Sequence, residues 1–157
     1  MYKRQAWWFG WTKTVTRRAL ADAAAAEVRL EDGDHGWLAP GDDGDTPEPH
    51  PWVRLLPGLD PTAMGWKERD WYLNPTYVER LFDRNGNAGP TIWADGRVVG
   101  GWIQRDDGSV ALDLCESLGP DHERLLGEAV EELSTAVGDV VVRPRFPSRN
   151  QKALLSS

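Results

Sequence analysis

The sequence is poor in the residues that build covalent and metal cross-links. It contains one cysteine, Cys115, and three histidines, His35, His50 and His122, among 157 residues. A single cysteine cannot form an internal disulfide, and the scattered histidines lack the spacing of metal ligands. We therefore expect neither a disulfide nor a structural metal, and we predict no cofactor.

Long apolar runs and nucleotide-binding loops are also missing. The longest apolar stretch near the start, residues 23–26, is far too short to cross a bilayer, and no signal-peptide pattern precedes it. The sequence has no Gly-rich phosphate loop of the Walker or dinucleotide type and no Gly-x-Ser-x-Gly motif. These absences exclude the corresponding enzyme classes and predict a cytoplasmic protein without a membrane partner.

Charge is unevenly distributed along an acidic chain. The formal net charge is -7 and the pI is about 4.9, which would normally argue against a nucleic-acid partner. However, residues 1–30 hold six Lys or Arg against two Asp or Glu, whereas residues 31–60 hold one Arg against eight acids. Nine tryptophans suit either a small sheet-lined core or stacking surfaces. Contact with a polyanion therefore stays open for the basic N-terminal part.

The first forty residues follow the pattern of the end of a winged helix. Thr12 is placed as an N-cap, and residues 12–26 have helical periodicity with basic residues in the first half. Strand-like residues 27–30 and 37–39 flank a turn, which predicts a hairpin or wing. Because the first helix of a complete winged helix has no counterpart here, we expect a partial module over residues 1–40. Its apolar face would pack on the downstream domain, on missing N-terminal residues or on another chain.

Residues 41–51 are acidic and rich in Pro and Gly, which predicts a solvated linker. In the domain predicted over residues 52–147, three tight turns separate strand-like runs, so we expect an antiparallel meander. With further strands at Val53 and at residues 140–142, this meander is large enough to form a small β-barrel or curled sheet.

One long helix and a tail complete the prediction. Residues 120–137 have apolar residues at helical spacing, with Pro120 at the first helical position and Gly138 at the end. The fold class is therefore α+β, with a partial winged helix followed by a curled sheet and one packing helix. The tail, residues 148–157, is expected to be frayed.

Residues 55–73, LLPGLDPTAMGWKERDWYL, combine core residues, breakers and charges between two tryptophans. They predict either a short helix pinned to a core by Trp66 and Trp71, or a site in which Lys67 and Arg69 contact a ligand. Glu68 and Asp70 are two residues apart and so diverge on a helix. Activation of water by one of these two carboxylates remains a further hypothesis.

This stretch and the later LFDRNGNAGPTIWADGRVVGGW resemble the C-terminal region of the bacterial winged-helix DNA-binding domain family, which includes DNA glycosylases that unhook interstrand crosslinks. The resemblance rests on residues 59–61, 65–69 and 99–102 in the family's order and spacing. It covers about residues 6–39 as the end of the last winged helix and about residues 53–146 as a C-terminal barrel.

The resemblance implies architecture and DNA contact but not catalysis. Family members look like tandem winged helices around a barrel, with excision assigned to a Gln-x-Gln or Gln-x-Asp motif in the N-terminal part. The glutamines here, Gln5, Gln104 and Gln151, form no such motif. A chain of this length therefore looks like a C-terminal remnant, a fragmentary gene product or one half of a split protein.

The resemblance also implies that a hairpin over residues 82–93 approaches the DNA, although the Asn-Gly pair by itself favours a simple tight turn. The predicted DNA-binding residues lie on the presumed recognition helix, in the central stretch and at the hairpin tip: Lys13, Thr16, Arg17, Arg18, Lys67, Arg69, Arg84, Asn85 and Asn87. The leading hypothesis is a module that binds double-stranded DNA weakly by itself, because few cations are present.

A protein-interaction module is the competing hypothesis. In this interpretation Trp7, Trp8 and Trp11 are exposed and dock on a partner chain.

Overall fold

The chain folds as two units, residues 1–48 and residues 49–157. The computed structural model describes residues 2–30, 33, 35–42, 49–65, 69–142, 144 and 147–156, and for residues 2–5 it describes the backbone alone. The boundary between the units falls within residues 41–51, which the sequence predicts as a linker. The predictions for Trp66, Lys67 and Glu68 lie outside the described residues.

Unit 1 consists of two helices followed by a hairpin. Helix α1 (Tyr2–Phe9) is followed by Gly10, and helix α2 (Lys13–Asp22) begins after Thr12. The Thr12 side chain accepts a hydrogen bond from the Val15 backbone N–H at 3.3 Å, which confirms the predicted N-cap. Strands β1 (Ala26–Arg29) and β2 (His35–Leu38) pair antiparallel, as their alternation predicts.

Unit 2 is built on a four-stranded antiparallel sheet. Its strands are β3 (Val53–Leu56), β4 (Thr91–Ala94), β5 (Arg97–Gln104) and β6 (Val110–Leu114), in the spatial order β3-β4-β5-β6. A register shift between Ile92 and Trp93 interrupts the pairing of β4 with β5. Within the described part of the chain the sheet stays open, with β3 and β6 at its edges, so the barrel alternative is wrong.

The fifth strand that the sequence predicts is not formed. Residues 140–142 form no strand, although three consecutive valines favour one. They contact Gln104 through its side-chain amide: Nε2 donates to the Val140 carbonyl at 3.0 Å, and Oε1 accepts from the Val142 N–H at 2.9 Å. The side chain of Gln104 therefore forms the hydrogen bonds that a neighbouring strand would form through its backbone.

In the described residues of unit 2, five helical segments accompany the sheet. They are α3 (Pro61–Met64), a 3-10 helix (Pro75–Tyr77), α4 (Val78–Leu81), α5 (Pro120–Val137) and α6 (Arg149–Ser156). The bounds of α5 agree with the helix that the sequence predicts over residues 120–137.

Both faces of the sheet are buried. On one face, Val53, Ile92 and Val99 pack with Leu126 and Ala129 of α5. On the other face, a second cluster is formed by residues of the sheet, the helical segments and the connecting chain: Ala63, Tyr72, Leu73, Leu81, Phe82, Ala88, Trp93 and Val98. This double coverage fixes the strands and turns that present the polar residues of unit 2.

The expectation of a frayed tail is wrong, because residues 149–156 form α6 against β5 and α4. The approach depends on Gly101, where a Cβ atom would lie 2.3 Å from Nδ2 of Asn150. Asn150 and Gln151 are buried in this contact. Polar residues at an interior position hide the helix from a hydrophobicity pattern.

Candidate nucleic-acid interface

In unit 1, helix α2 presents the cations that the sequence predicts. Lys13, Arg17 and Arg18 are exposed, and Lys13 and Arg17 share one face because they are four residues apart. The Arg18 side chain forms a loose ion pair with Asp22 on the same helix at 3.7 Å. Such an exposed pair contributes little stability, so Arg18 stays accessible to a phosphate.

Thr16 has a different role. Its side chain is 1% exposed, and its hydroxyl donates to the Thr12 carbonyl at 3.1 Å. The hydroxyl is therefore withdrawn from the surface on which a DNA contact was predicted. Thr16 contributes to the packing of unit 1 instead.

In unit 2, the turn between α4 and β4 is organised by one carboxylate. Oδ1 of Asp83 accepts from the backbone N–H groups of Asn85 at 2.8 Å and of Asn87 at 2.9 Å. The Asn87 side-chain amide donates to Oδ2 at 2.9 Å, and Gly86 adopts a φ of +83°. Arg84 and Asn85 are exposed at the tip, whereas the Asn87 amide is held within the turn.

These bonds also set the charge of the turn. The Asn87 side-chain amide, followed by the backbone N–H groups, holds the pKa of Asp83 below its ordinary value. Asp83 is therefore ionised at neutral pH. It places a fixed negative charge beside the cation of Arg84.

Beside this turn lies a groove of about 870 Å³, which we call the cationic groove. It is lined by four cations, from the central stretch, the turn and α6: Arg69, Arg84, Arg149 and Lys152. Three carboxylates, Asp70, Glu79 and Asp83, also line it. Two of them are already engaged, Glu79 in an ion pair with Arg149 and Asp83 within the turn.

Arg69 is the most constrained cation of the groove. Its Nη1 donates to the Ala63 carbonyl at 3.0 Å, and its guanidinium lies over the Phe82 ring, 4.7 Å from the ring centroid. These contacts fix the side chain next to the groove. The other three cations of the groove, Arg84, Arg149 and Lys152, are exposed, and Arg149 pairs with Glu79.

Sequence reasoning missed Arg149 and Lys152 as groove residues. Both lie in the segment expected to be frayed, more than sixty positions from Arg84 along the chain. Their spacing of three residues on a helix was the one available signal, since it places both on one face. Without the contact between α6 and α4, nothing in the sequence joins them to the turn.

Other surfaces of the described residues offer less to a polyanion. The exposed face of α5 carries Glu128, Glu131 and Glu132 and repels phosphate. Among the residues that the structure describes, no group of His, Cys, Asp or Glu is arranged to hold a metal ion. None of the helices in the described ranges combines the length and apolar character needed to cross a bilayer.

A helix-covered antiparallel sheet with a cation-lined groove defines a mixed α+β protein that has a candidate polyanion-binding surface. The model of one family, described as DNA glycosylase AlkZ-like, matches residues 3–136. This match covers most of the chain, and the chain belongs to the AlkZ-like DNA glycosylase family. The resemblance to a family that includes DNA glycosylases is thereby confirmed.

A solved structure supports the fold. The chain is similar to the Streptomyces sahachiroi DNA glycosylase AlkZ, with a TM-score of 0.66 and 21% sequence identity. The likeness covers 84% of this chain and 37% of that chain, so the present chain spans little more than a third of that glycosylase. A search among curated proteins found no significant match.

Proposed function

We propose that this chain is a DNA-binding module equivalent to the C-terminal part of an AlkZ-like glycosylase. In this proposal it holds double-stranded DNA through phosphate contacts and does not break glycosidic bonds by itself. Membership of a DNA glycosylase family supports a DNA partner. The likeness to the solved glycosylase covers 37% of that chain, so it supports a comparison with one part of that architecture.

The observation that carries the proposal is that cations from separate segments of the chain line one groove. Arg84 comes from a turn held by Asp83, and Lys152 comes from α6, so two distant segments place exposed cations in one concave surface. Phosphate contacts from such cations position a duplex and supply most of the sequence-independent affinity. With few cations and a net charge of -7, the affinity is expected to be low.

We extend the proposal to unit 1 as the end of a winged helix. The order of helix, turn, helix and hairpin supports this assignment, with α2 as the recognition helix and the β1–β2 hairpin as the wing. Lys13, Arg17 and Arg18 would then contact DNA from unit 1. Among the predicted residues, Thr16 is left out because its side chain is buried.

The proposal excludes catalysis because the Gln-x-Gln or Gln-x-Asp motif, to which excision is assigned in the resembled family, does not occur in this sequence. Gln104 uses both ends of its amide to hold residues 140–142, and the Gln151 oxygen accepts from Ser148. Both therefore serve the packing of unit 2. Asp70 lines the cationic groove, so water activation by this carboxylate remains the competing hypothesis for catalysis.

A salt titration of DNA binding tests the proposal. Fluorescence anisotropy with a labelled duplex, from about 50 to about 300 mM salt, gives the number of phosphate contacts, because log K falls by about 0.9 per contact for each unit of log salt. Arg84→Ala and Lys152→Ala should each weaken binding and make this slope shallower by about 0.9. Arg17→Ala tests unit 1 in the same way.

Arg124→Ala is the matched control. Arg124 lies on α5 with a side chain 59% exposed, pairs with Glu128 and is not among the residues that line the groove. Its loss changes the net charge by the same amount without removing a proposed contact. Equal losses for Arg84→Ala and Arg124→Ala, or binding that ignores salt, would contradict the proposal.

A base-release assay on alkylated duplex DNA tests the second half of the proposal. The wild-type chain should release no base above the uncatalysed background. Release by the wild type that is lost in Asp70→Asn would show that the chain is an enzyme, with Asp70 in its site.

A protein-interaction function is the second candidate, because the aromatic residues of unit 1 are exposed. Trp7, Trp8, Phe9 and Trp11 are between 41% and 57% exposed, and the rings of Phe9 and Trp11 stack at 4.6 Å. Exposed aromatic clusters of this kind mark docking surfaces. Sedimentation showing self-association that Trp8→Ala abolishes would favour this function over DNA contact.

A further inference from the structure

Helix α6 docks on the rest of unit 2 with polar residues inward. Asn150 and Gln151 are 3% and 1% exposed, whereas Leu155 is 43% exposed and Ala153 also lies at the surface. A helix that packs on a globular domain normally buries its apolar residues and exposes its polar ones. The burial of apolar surface therefore contributes little to the docking of α6.

The buried amides of α6 are satisfied on one side only. Oδ1 of Asn150 accepts from the Ser148 hydroxyl at 2.6 Å and from the Gln151 N–H at 2.9 Å, and Oε1 of Gln151 accepts from the Ser148 N–H at 2.8 Å. These bonds all stay within residues 148–151. The remaining donors, Asn150 Nδ2 and Gln151 Nε2, are buried and have no acceptor among the described residues. A donor that loses water without gaining an acceptor opposes docking.

Two further contacts across this interface hold α6 weakly. Nδ2 of Asn150 lies against Gly101 of β5, where a Cβ atom would leave no room for it. The Arg149 guanidinium pairs with Glu79 of α4, but the two side chains are 72% and 81% exposed, so this ion pair contributes little. The docked position is therefore well defined in shape but weakly held.

The docking of α6 nevertheless completes the cationic groove. Arg149 and Lys152 line the groove from α6, and Arg84 lines it from the turn. With α6 in place, these cations face one concave surface and repel one another, and an anion between them relieves that repulsion. An anion long enough to contact both Lys152 and Arg84 therefore binds the docked state in preference to the undocked state, in which the two cations separate.

We infer that α6 undocks while the sheet of unit 2 stays folded, and that a chain of phosphates bound in the cationic groove holds α6 docked. An undocked α6 would unravel, because a helix of eight residues is unstable in water by itself. The groove is therefore incomplete for part of the time in the free protein, and anion binding completes it. The identity of the anion as DNA rests on the proposed function, whereas the separate opening of α6 does not.

Hydrogen exchange measured by mass spectrometry tests the separate opening. In the free protein, the hydrogen-bonded amides of α6 should exchange at least about hundredfold faster than those of β5, relative to their intrinsic rates. Gly101→Ala should accelerate exchange in α6 further, because the added methyl overlaps Asn150. Equal protection of α6 and β5 in the wild type would overturn the inference, whether or not the protein binds DNA.

Inorganic tripolyphosphate tests the coupling without DNA. At about ten times its dissociation constant, taken from calorimetry, it should slow exchange in α6 about tenfold, because it binds only the docked state. Arg84→Ala should reduce this slowing without accelerating α6 exchange in the free protein, and Arg124→Ala, which is outside the groove, should preserve it. The inference is overturned if tripolyphosphate leaves α6 exchange unchanged, or if sodium chloride of the same ionic strength slows it equally.

A labelled duplex separates this inference from the proposed function. A duplex that binds by anisotropy and slows exchange in α6 supports both. A duplex that binds and leaves α6 exchange unchanged supports the proposed function and overturns the coupling. If tripolyphosphate slows α6 exchange but no duplex binds, the coupling stands and the DNA proposal fails.

Discussion

His122 and Asp95 join the long helix α5 to the tight turn between β4 and β5: His122 Nε2 lies 2.6 Å from Asp95 Oδ2. The other oxygen of Asp95 accepts from the Trp52 backbone N–H at 2.9 Å. Asp95 also adopts a φ of +46°, which asparagine and aspartate tolerate better than most residues. One carboxylate therefore holds three separate segments of unit 2 together.

Asp95→Asn should destabilise the protein at neutral pH by up to about 1 kcal/mol, because the pair is partly exposed. The Trp52 N–H, together with His122, holds the pKa of Asp95 below its ordinary value. A depressed carboxylate pKa stabilises the fold above the unfolded-state pKa of about 4, and this contribution is lost as the pH falls through the folded-state value. Urea unfolding should show the difference at pH 7 and little difference near pH 3.

The exposed Asp139 supplies the control for this prediction. Asp139→Asn should change the free energy of unfolding by less than about 0.5 kcal/mol at either pH. A difference between wild type and Asp95→Asn that persists unchanged in acid would contradict the role assigned to the ionised Asp95 carboxylate.

Two substitutions at Asp83 that remove the same charge should differ in their effect on DNA binding. Asp83→Asn keeps an acceptor for the turn and removes a negative charge beside the groove, so affinity should rise about threefold. Asp83→Ala removes the same charge but also the acceptor that orders Arg84 and Asn85, so affinity should be lower than in Asp83→Asn. Equal affinities of the two variants would show that the turn need not be ordered.

Gly101→Ala should lower the free energy of unfolding by about 1 to 3 kcal/mol, because the added methyl overlaps Asn150 and displaces α6 from β5. Gly127→Ala is the matched comparison. Gly127 lies on the exposed side of α5 with open space around its Cα atom, so alanine should stabilise the helix by about 0.5 to 1 kcal/mol. Thermal or urea unfolding measures both, and a neutral Gly101→Ala would contradict the close packing of α6.

Cys115 should react slowly with thiol reagents in the folded protein. Its side chain packs beside the cluster around Trp93, and burial raises the pKa of the thiol. A raised pKa lowers the thiolate fraction at pH 8, and packing limits access of the reagent. Alkylation should be at least about tenfold slower in buffer than in denaturing urea. Equal rates would show that the thiol is open to solvent.

Local signals in the sequence predicted the parts of the fold that depend on neighbouring residues. Thr12 accepts from Val15 as an N-cap should, and Pro120 begins α5 where a proline is compatible with a helix. Asp95-Gly96 forms the tight turn between β4 and β5, as this dipeptide predicts. Each of these outcomes is decided within a few residues.

The other parts of the fold and of the candidate site depend on contacts between residues that are far apart in the sequence. Helix α6 is held by Gly101, almost fifty positions earlier, and its inward residues are polar, so its hydrophobic pattern indicated exposure. The cationic groove combines Arg84 with Arg149 and Lys152 only after α6 has docked. Thr16 shows the converse, because a polar residue on a basic helix was expected at the surface and is buried.

The attachment of residues 140–142 to Gln104 has a consequence for how the chain tolerates mutation. Ladder bonds between strands survive most substitutions, since nearly every amino acid brings the same main-chain groups. Here the equivalent bonds belong to a single amide that donates to Val140 and accepts from Val142. A single-codon change, Gln104→Glu, would replace the Nε2 donor with a second acceptor and release residues 140–142, which lie between α5 and α6. This connection is therefore sensitive to mutation of one residue, whereas a strand paired through its backbone would tolerate most substitutions.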